Sequence, residues 1–322
     1  MIAIRTVFVR VLTMLAAMNL WGVSMAQYPE RPVRMVVGFA AGGGADILGR
    51  IAARGLSERW GQNFVVENRP GGDASIAATL VARADPDGYT LLVTTSALTI
   101  TPAFQEQQFN PVTSFDPIIV MGSSPSLLLV HPSLPVKSVA ELVAYAKANP
   151  GKLAYGSSGT GTIPFLAMEM LKDHFGIDMI HVPFKGGGDQ IASLLSGETP
   201  VTFLAIGTTL SLVRAGKLRA LAVNSKRRWS QVPDVPTVSE IGMSGFEAST
   251  WYGALAPART PKDIVGRLNV EISNVIRSKE GQDMMSRQGF DTLVGPSEQF
   301  VELIRTDLQR WSVLAKKLSR RQ

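Results

Sequence analysis

Two glycine-rich segments have the composition to hold an anion. One reads Gly38-Phe39-Ala40-Ala41-Gly42-Gly43-Gly44-Ala45-Asp46, the other Gly156-Ser157-Ser158-Gly159-Thr160-Gly161-Thr162. Each follows an apolar run and precedes an amphipathic one, which places it at a strand-to-helix turn. At such turns glycine lets the backbone approach a ligand, and the first N–H groups of the helix point outward with no intrahelical partner. One loop of this kind attracts negative charge. Two in matching positions, the second rich in hydroxyls, are expected to grip a carboxylate from opposite sides. An aspartate introduced at Gly159 would then set a like charge where the carboxylate sits.

Other chemistries of glycine-rich loops fail on particular residues. Gly156 and Gly161 have the spacing of a P-loop, but Thr162 stands where lysine must reach the phosphates. Pro164 takes the third glycine position of a dinucleotide fingerprint. The sequence has no G-x-S-x-G elbow and no S-x-x-K. His131, His174 and His181 lack metal-ligand spacing, and without cysteine neither disulfides nor thiolate metal sites form. No catalytic residue, metal or cofactor is expected. Asp46 falls in the first turn of a helix, where its charge suits the dipole and can also meet an amine on a ligand.

The elements around these loops alternate short apolar runs with longer amphipathic ones, the pattern of an α/β protein with doubly wound sheets. Strands are expected at 33–39, 64–67 and 90–94, with helices at 45–60 and 75–84 between them. After Pro125 the rhythm resumes with strands at 127–130, 152–156, 179–183, 201–204 and 218–223, and helices at 139–148, 164–174, 189–195 and 208–215. The tail offers a strand at 251–256 and helices at 261–277 and 297–318. Having no sheet of its own, the tail is expected to return to the first lobe. The chain then divides into one lobe of residues 27–124 with 229–322 and another of residues 125–228. Two crossings between lobes make a hinge, and a hinge makes a cleft that closes on a ligand.

Residues 1–26 read as an export leader. Arg5 and Arg10 give a basic start, Val11 to Val23 is mostly apolar, and Ser24-Met25-Ala26 ends on small residues, so cleavage after Ala26 and a periplasmic protein are expected. The apolar stretch is shorter than the roughly 20 residues of a spanning helix. Its removal leaves 296 of the 322 residues, enough for two lobes. The net charge of +6 falls to +4 without Arg5 and Arg10 (30 basic against 26 acidic residues). The short basic runs Lys226-Arg227-Arg228 and Lys316-Lys317 carry no interleaved aromatics, so nucleic acid is not an expected partner.

Several ordered segments carry a family resemblance. They are Phe39 to Asp46, Val65-Val66-Glu67-Asn68-Arg69-Pro70-Gly71, Asp85-Pro86-Asp87-Gly88-Tyr89-Thr90, Ala148-Asn149-Pro150-Gly151-Lys152-Leu153, Tyr155 to Thr162, His181-Val182-Pro183-Phe184-Lys185-Gly186-Gly187-Gly188 and Pro233-Asp234-Val235-Pro236-Thr237. On these residues the chain, from about Tyr28 onward, resembles the Bug-type solute receptors of tripartite tricarboxylate transporters. The resemblance implies a type II periplasmic-binding fold, a carboxylate held by both glycine loops, and delivery to membrane transporter subunits. An envelope sensor kinase is the alternative partner, and an enzyme acting on a carboxylic acid is the remaining rival.

The ligand-binding residues expected on this basis are Phe39, Ala41, Gly42, Gly43, Asp46, Ser96, Ser157, Ser158, Gly159, Thr160, Gly161, Thr162, Phe165, Lys185 and Gly187. The chain departs from the family pattern at Gly38, where proline is usual, at Phe165, often histidine, at Thr101-Pro102, and at Gly72-Asp73-Ala74-Ser75, which replaces a more glycine-rich run. The ligand is expected to be a mono- or dicarboxylate, aromatic acids included, with Phe39, Phe165, Phe184 and Trp251 as candidate walls.

Overall fold

A computed structural model describes residues 28–225, 227–243 and 249–319. The leader expected over residues 1–26 lies outside them. The fold is that of the unit Arg31–Gln322.

The first sheet begins with β1 (Val33–Val37), α1 (Gly44–Trp60), β2 (Phe64–Asn68), α2 (Ser75–Ala82), β3 (Thr90–Thr95), the short α3 (Ala97–Ile100) and β4 (Phe115–Ser124). The second is built from β5 (Ser126–Val130), α4 (Val139–Ala148), β6 (Ala154–Ser157), α5 (Ile163–Phe175), β7 (Ile180–Pro183), α6 (Gly187–Ser196), β8 (Val201–Ala205), α7 (Ile206–Arg214) and β9 (Arg219–Val223). β10 (Thr250–Pro257), α8 (Lys262–Arg277), α9 (Lys279–Arg287), β11 (Asp291–Thr292) and α10 (Ser297–Ser319) complete the first lobe. The sheet orders are β11-β4-β10-β3-β1-β2 and β7-β6-β8-β5-β9.

The interior parallel strand β1 is apolar and buried on both faces, whereas the edge strands β2 and β7 leave Val65 and Ile180 about half exposed. In β1, Val33, Met35, Val36 and Val37 are all fully buried. Neither sheet is purely parallel: β10 runs antiparallel between β3 and β4, and β5 antiparallel between β8 and β9. These are the strands flanking the two crossings, so the chain reverses direction where it changes lobe.

Three features differ from the sequence reading. β4 is a full strand where no strand was expected, and only Pro125 separates it from β5. Pro117 is tolerated because it pairs with β10 beside a register shift. Second-lobe packing also extends past residue 229, Val232 being buried in one hydrophobic cluster of that lobe and Val238 and Met243 in another. Finally, α10 serves both lobes. Phe300 and Ile304 pack in the core of the first, whereas Trp311 joins the cluster containing Tyr155 and Phe203 of the second. No helix among the described residues is long and apolar enough to cross a membrane.

Candidate functional site

A cavity lies between the lobes. The first lobe supplies Phe39, Gly43, Gly44 and Ala45 from the first glycine loop, Thr95 and Ser96 after β3, and Thr250 and Tyr252 on β10. The second supplies Ser126, Ser158, Thr162, Ile163, Pro164, Gly187, Leu204, Ala205 and Thr208. No Lys, Arg, His, Asp or Glu is among these residues, and eight of them carry a hydroxyl. Recognition of charge here must come from dipoles and hydroxyls.

Four helices open on this space. The N-caps of α1, α5, α6 and α7 are Gly43, Thr162, Gly186 and Ala205, and none makes a side-chain cap hydrogen bond. Elsewhere α4 and α9 are capped, the Ser138 and Ser278 hydroxyls accepting from Glu141 N–H and Gly281 N–H, while α2 and α8 are uncapped like the four at the cavity. Uncapped N-termini leave backbone donors and positive dipole ends facing the cavity. Ser96 adds a second kind of opening. It is 1% exposed, and its hydroxyl has no protein partner. A buried polar group left unpaired costs about 1–3 kcal/mol, which a hydrogen bond to water or a ligand would relieve.

Tyr252 closes the first-lobe wall. Strand residues alternate faces, so Trp251 points into the core against Phe300 and donates its Nε1–H to Asp307 Oδ2 at 2.7 Å, while Tyr252 faces the cavity. Burial pushes the Tyr252 phenol well above its ordinary range, so it stays neutral. Position 44 must be glycine because a Cβ there would lie 2.5 Å from the Tyr252 hydroxyl.

Of the expected binding residues, Phe39, Gly43, Ser96, Ser158, Thr162 and Gly187 are in the wall, and the others are not. Ala41 and Gly42 are exposed, as is Lys185. The Asp46 carboxylate is used up inside its own lobe: it accepts from Gly42 N–H at 3.0 Å, Asn68 Nδ2 at 2.9 Å and Arg50 Nε at 3.0 Å. Burial pushes this carboxyl up, but the hydrogen bonds from Arg50, Gly42 and Asn68 outweigh it and hold it below the ordinary value. Ser157 is buried under its loop, accepting from Gly159 N–H and sharing a 2.6 Å hydrogen bond with His181 Nε2. Burial holds His181 below its usual range, so the imidazole is neutral near pH 7. Phe165 turns away to pack edge-on against Phe104, with ring centroids 5.9 Å apart, and against His181 at 4.9 Å.

Gly159, Thr160 and Gly161 meet the protein itself. Asp73, in the turn before α2, places Oδ2 2.7 Å from Thr160 Oγ1 and 3.0 Å from Gly161 N. Elsewhere the lobes touch through the first loop: a Cβ on Gly186 would lie 3.0 Å from Ala40 Cβ, and one on Gly188 3.4 Å from Ala41 O. The cavity thus lies among several inter-lobe contacts, these two together with the Phe104–Phe165 ring contact and the approach of Gly207 to Gln288.

Two lobes with a hydroxyl-lined cleft at the strand ends define the periplasmic-binding-protein fold. Residues 48–319 match the family described as "Tripartite tricarboxylate transporter family receptor", and the chain belongs to that family. It is 32% identical to Protein BugT of Bordetella pertussis, over 90% of each chain. Among solved structures it is similar to R. palustris Rpa4515 with adipate, at 35% identity and a TM-score of 0.87, covering 91% of this chain and 98% of that one. It is also similar to MatC (Rpa3494) from Rhodopseudomonas palustris with bound malate, at 30% identity and a TM-score of 0.83, covering 89% and 100%.

Proposed function

We propose that this protein captures a small carboxylate between its lobes and delivers it to the membrane subunits of a tripartite tricarboxylate transporter, acting in the periplasm after cleavage near Ala26 and catalysing nothing itself. The observation that carries this reading is a cavity without charged side chains on which four uncapped helices and the unpartnered Ser96 hydroxyl converge. The adipate and malate held by the two similar structures support the ligand class. In this reading the carboxylate accepts backbone N–H groups at the start of α1 and the Ser96 hydroxyl, and Phe39 and Tyr252 flank its apolar part. Closure removes water and strengthens each of these dipolar contacts.

The test compares an acid with its methyl ester, similar in shape but neutral. Ligand at about 100 times its Kd stabilises the folded state by about 2.7 kcal/mol, a visible melting shift. Acids should produce the shift and esters should not; equal shifts for both would end the carboxylate reading.

A further inference from the structure

The second glycine loop presents only its ends to the cavity. Ser158 and Thr162 are in the wall, while the loop's centre is turned toward Asp73. Asp73 sits left-handed (φ 53°, ψ 44°) and reaches from the first lobe to the second. Its carboxylate takes a hydroxyl and a backbone N–H, the donors a bound anion would use. Gly159 lies beneath it, where a Cβ would be 1.7 Å from Oδ1. The neighbouring Gly161 is pressed against Thr101, whose Oγ1 would be 1.9 Å from a Cβ. The fit leaves no room for a ligand carboxylate at the loop's centre while the lobes are closed.

From this we infer that Asp73 determines specificity: its carboxylate occupies the anion position at Thr160 and Gly161 of the second loop on closure, so the cavity takes a ligand carboxylate from the first-lobe side and disfavours a second one directed at that turn. The inference rests on the carboxylate-binding reading and narrows it. A dicarboxylate spanning the cleft would bring its second charge toward Asp73 through a partly dehydrated space, where like charges repel far more than in water. Selectivity should therefore differ from that of relatives that hold adipate or malate.

The experiment is calorimetric titration of the purified protein with two matched pairs, hexanoate against adipate and benzoate against terephthalate. Asp73→Asn is the first variant, because asparagine tolerates the left-handed conformation and keeps an acceptor for Thr160 and Gly161. Asp73→Gly, which removes the side chain altogether, is the second. Wild type should bind at least one monoacid tenfold or more tightly than the matching diacid, about 1.4 kcal/mol. Asp73→Asn should bring that ratio near one or reverse it. Any change in the cost of closing the lobes is common to both members of a pair and cancels in the ratio. A wild-type preference for the diacids, or a ratio unmoved by both variants, would overturn the role of Asp73 while leaving carboxylate binding intact. Methyl esters binding as well as the acids would overturn both.

Discussion

The two glycine loops solve the same problem with different aspartates. In the first, Gly42 N–H donates to Asp46 Oδ2; in the second, Gly161 N–H donates to Asp73 Oδ2, and both distances are 3.0 Å. Asp46 belongs to the helix that its loop begins, so the first loop is braced whether the lobes are open or closed. Asp73 comes from the opposite lobe, so the second loop gains its partner only on closure. One loop is a fixed wall and the other is half of a latch. The contrast in space is local, since Ala40 and Ala41 of the first loop also approach Gly186 and Gly188: a Cβ on Gly42 would meet nothing within 4 Å, whereas one on Gly161 would collide with Thr101.

The largest effect should therefore come from Gly161→Val. Thr101 is 1% exposed and its Cα would lie 3.0 Å from the new Cβ, so the added side chain should prop the lobes apart. Acid binding should weaken at least about 100-fold, roughly 2.7 kcal/mol, while the unliganded protein still melts cooperatively. Gly42→Ala provides the control. Its φ of 83° makes alanine cost about 1–2 kcal/mol of stability, but the lobes still close and acids still bind. Equal losses of binding in the two variants would erase the distinction between wall and latch.

Long periodic elements were legible in the sequence because each buries one continuous stripe; α1 and α5 begin within a residue of where the pattern places them. β4 was not, since Pro117, Gly122 and two serines break its apolar run, and its strand character comes from pairing with β10, far along the chain. In the site, five of the six expected residues found in the wall lie in glycine-rich segments, which stand out in a sequence, and Ser96 lies in the loop after β3. Tyr252 was hidden beside Trp251: alternation says that one of them faces the core, and only the packing against Phe300 and Asp307 says which. Asp73 was visible as a departure from the family pattern but not as a contact. On sequence Gly159→Asp is the natural charge probe; with φ 118° and Asp73 Oδ1 1.7 Å from the Cβ position, it would disrupt sterically as well. Charge is better removed at Asp73 than added at Gly159.

An intermediate effect, confined to the first lobe, should follow from Asp46→Asn. Because the folded carboxyl titrates below its ordinary value of 3.8, its contribution is fully present above that value and is lost as pH falls through the folded pKa. Denaturant unfolding should place the variant about 2 kcal/mol below wild type near pH 7, from hydrogen bonds to a charged group, with the gap closing below about pH 4. A gap independent of pH would mean that asparagine fails by shape and that the charge of Asp46 contributes nothing to bracing Gly42.

Ser96→Ala should have the smallest effect and the most informative sign. The hydroxyl is buried with no protein partner, so its removal breaks no bond in the unliganded protein and relieves an unsatisfied group. Stability without ligand should stay the same or rise by about 1 kcal/mol. Acid affinity should fall about five- to tenfold, roughly 1–1.4 kcal/mol, because the ligand loses a donor that no backbone N–H replaces. Structural residues lose both quantities together; a residue reserved for the ligand moves them in opposite directions. Melting curves with and without a bound acid measure both in one experiment. A fall in unliganded stability with unchanged affinity would return Ser96 to the scaffold and leave the first-lobe wall with the α1 N-terminus as its anion contact.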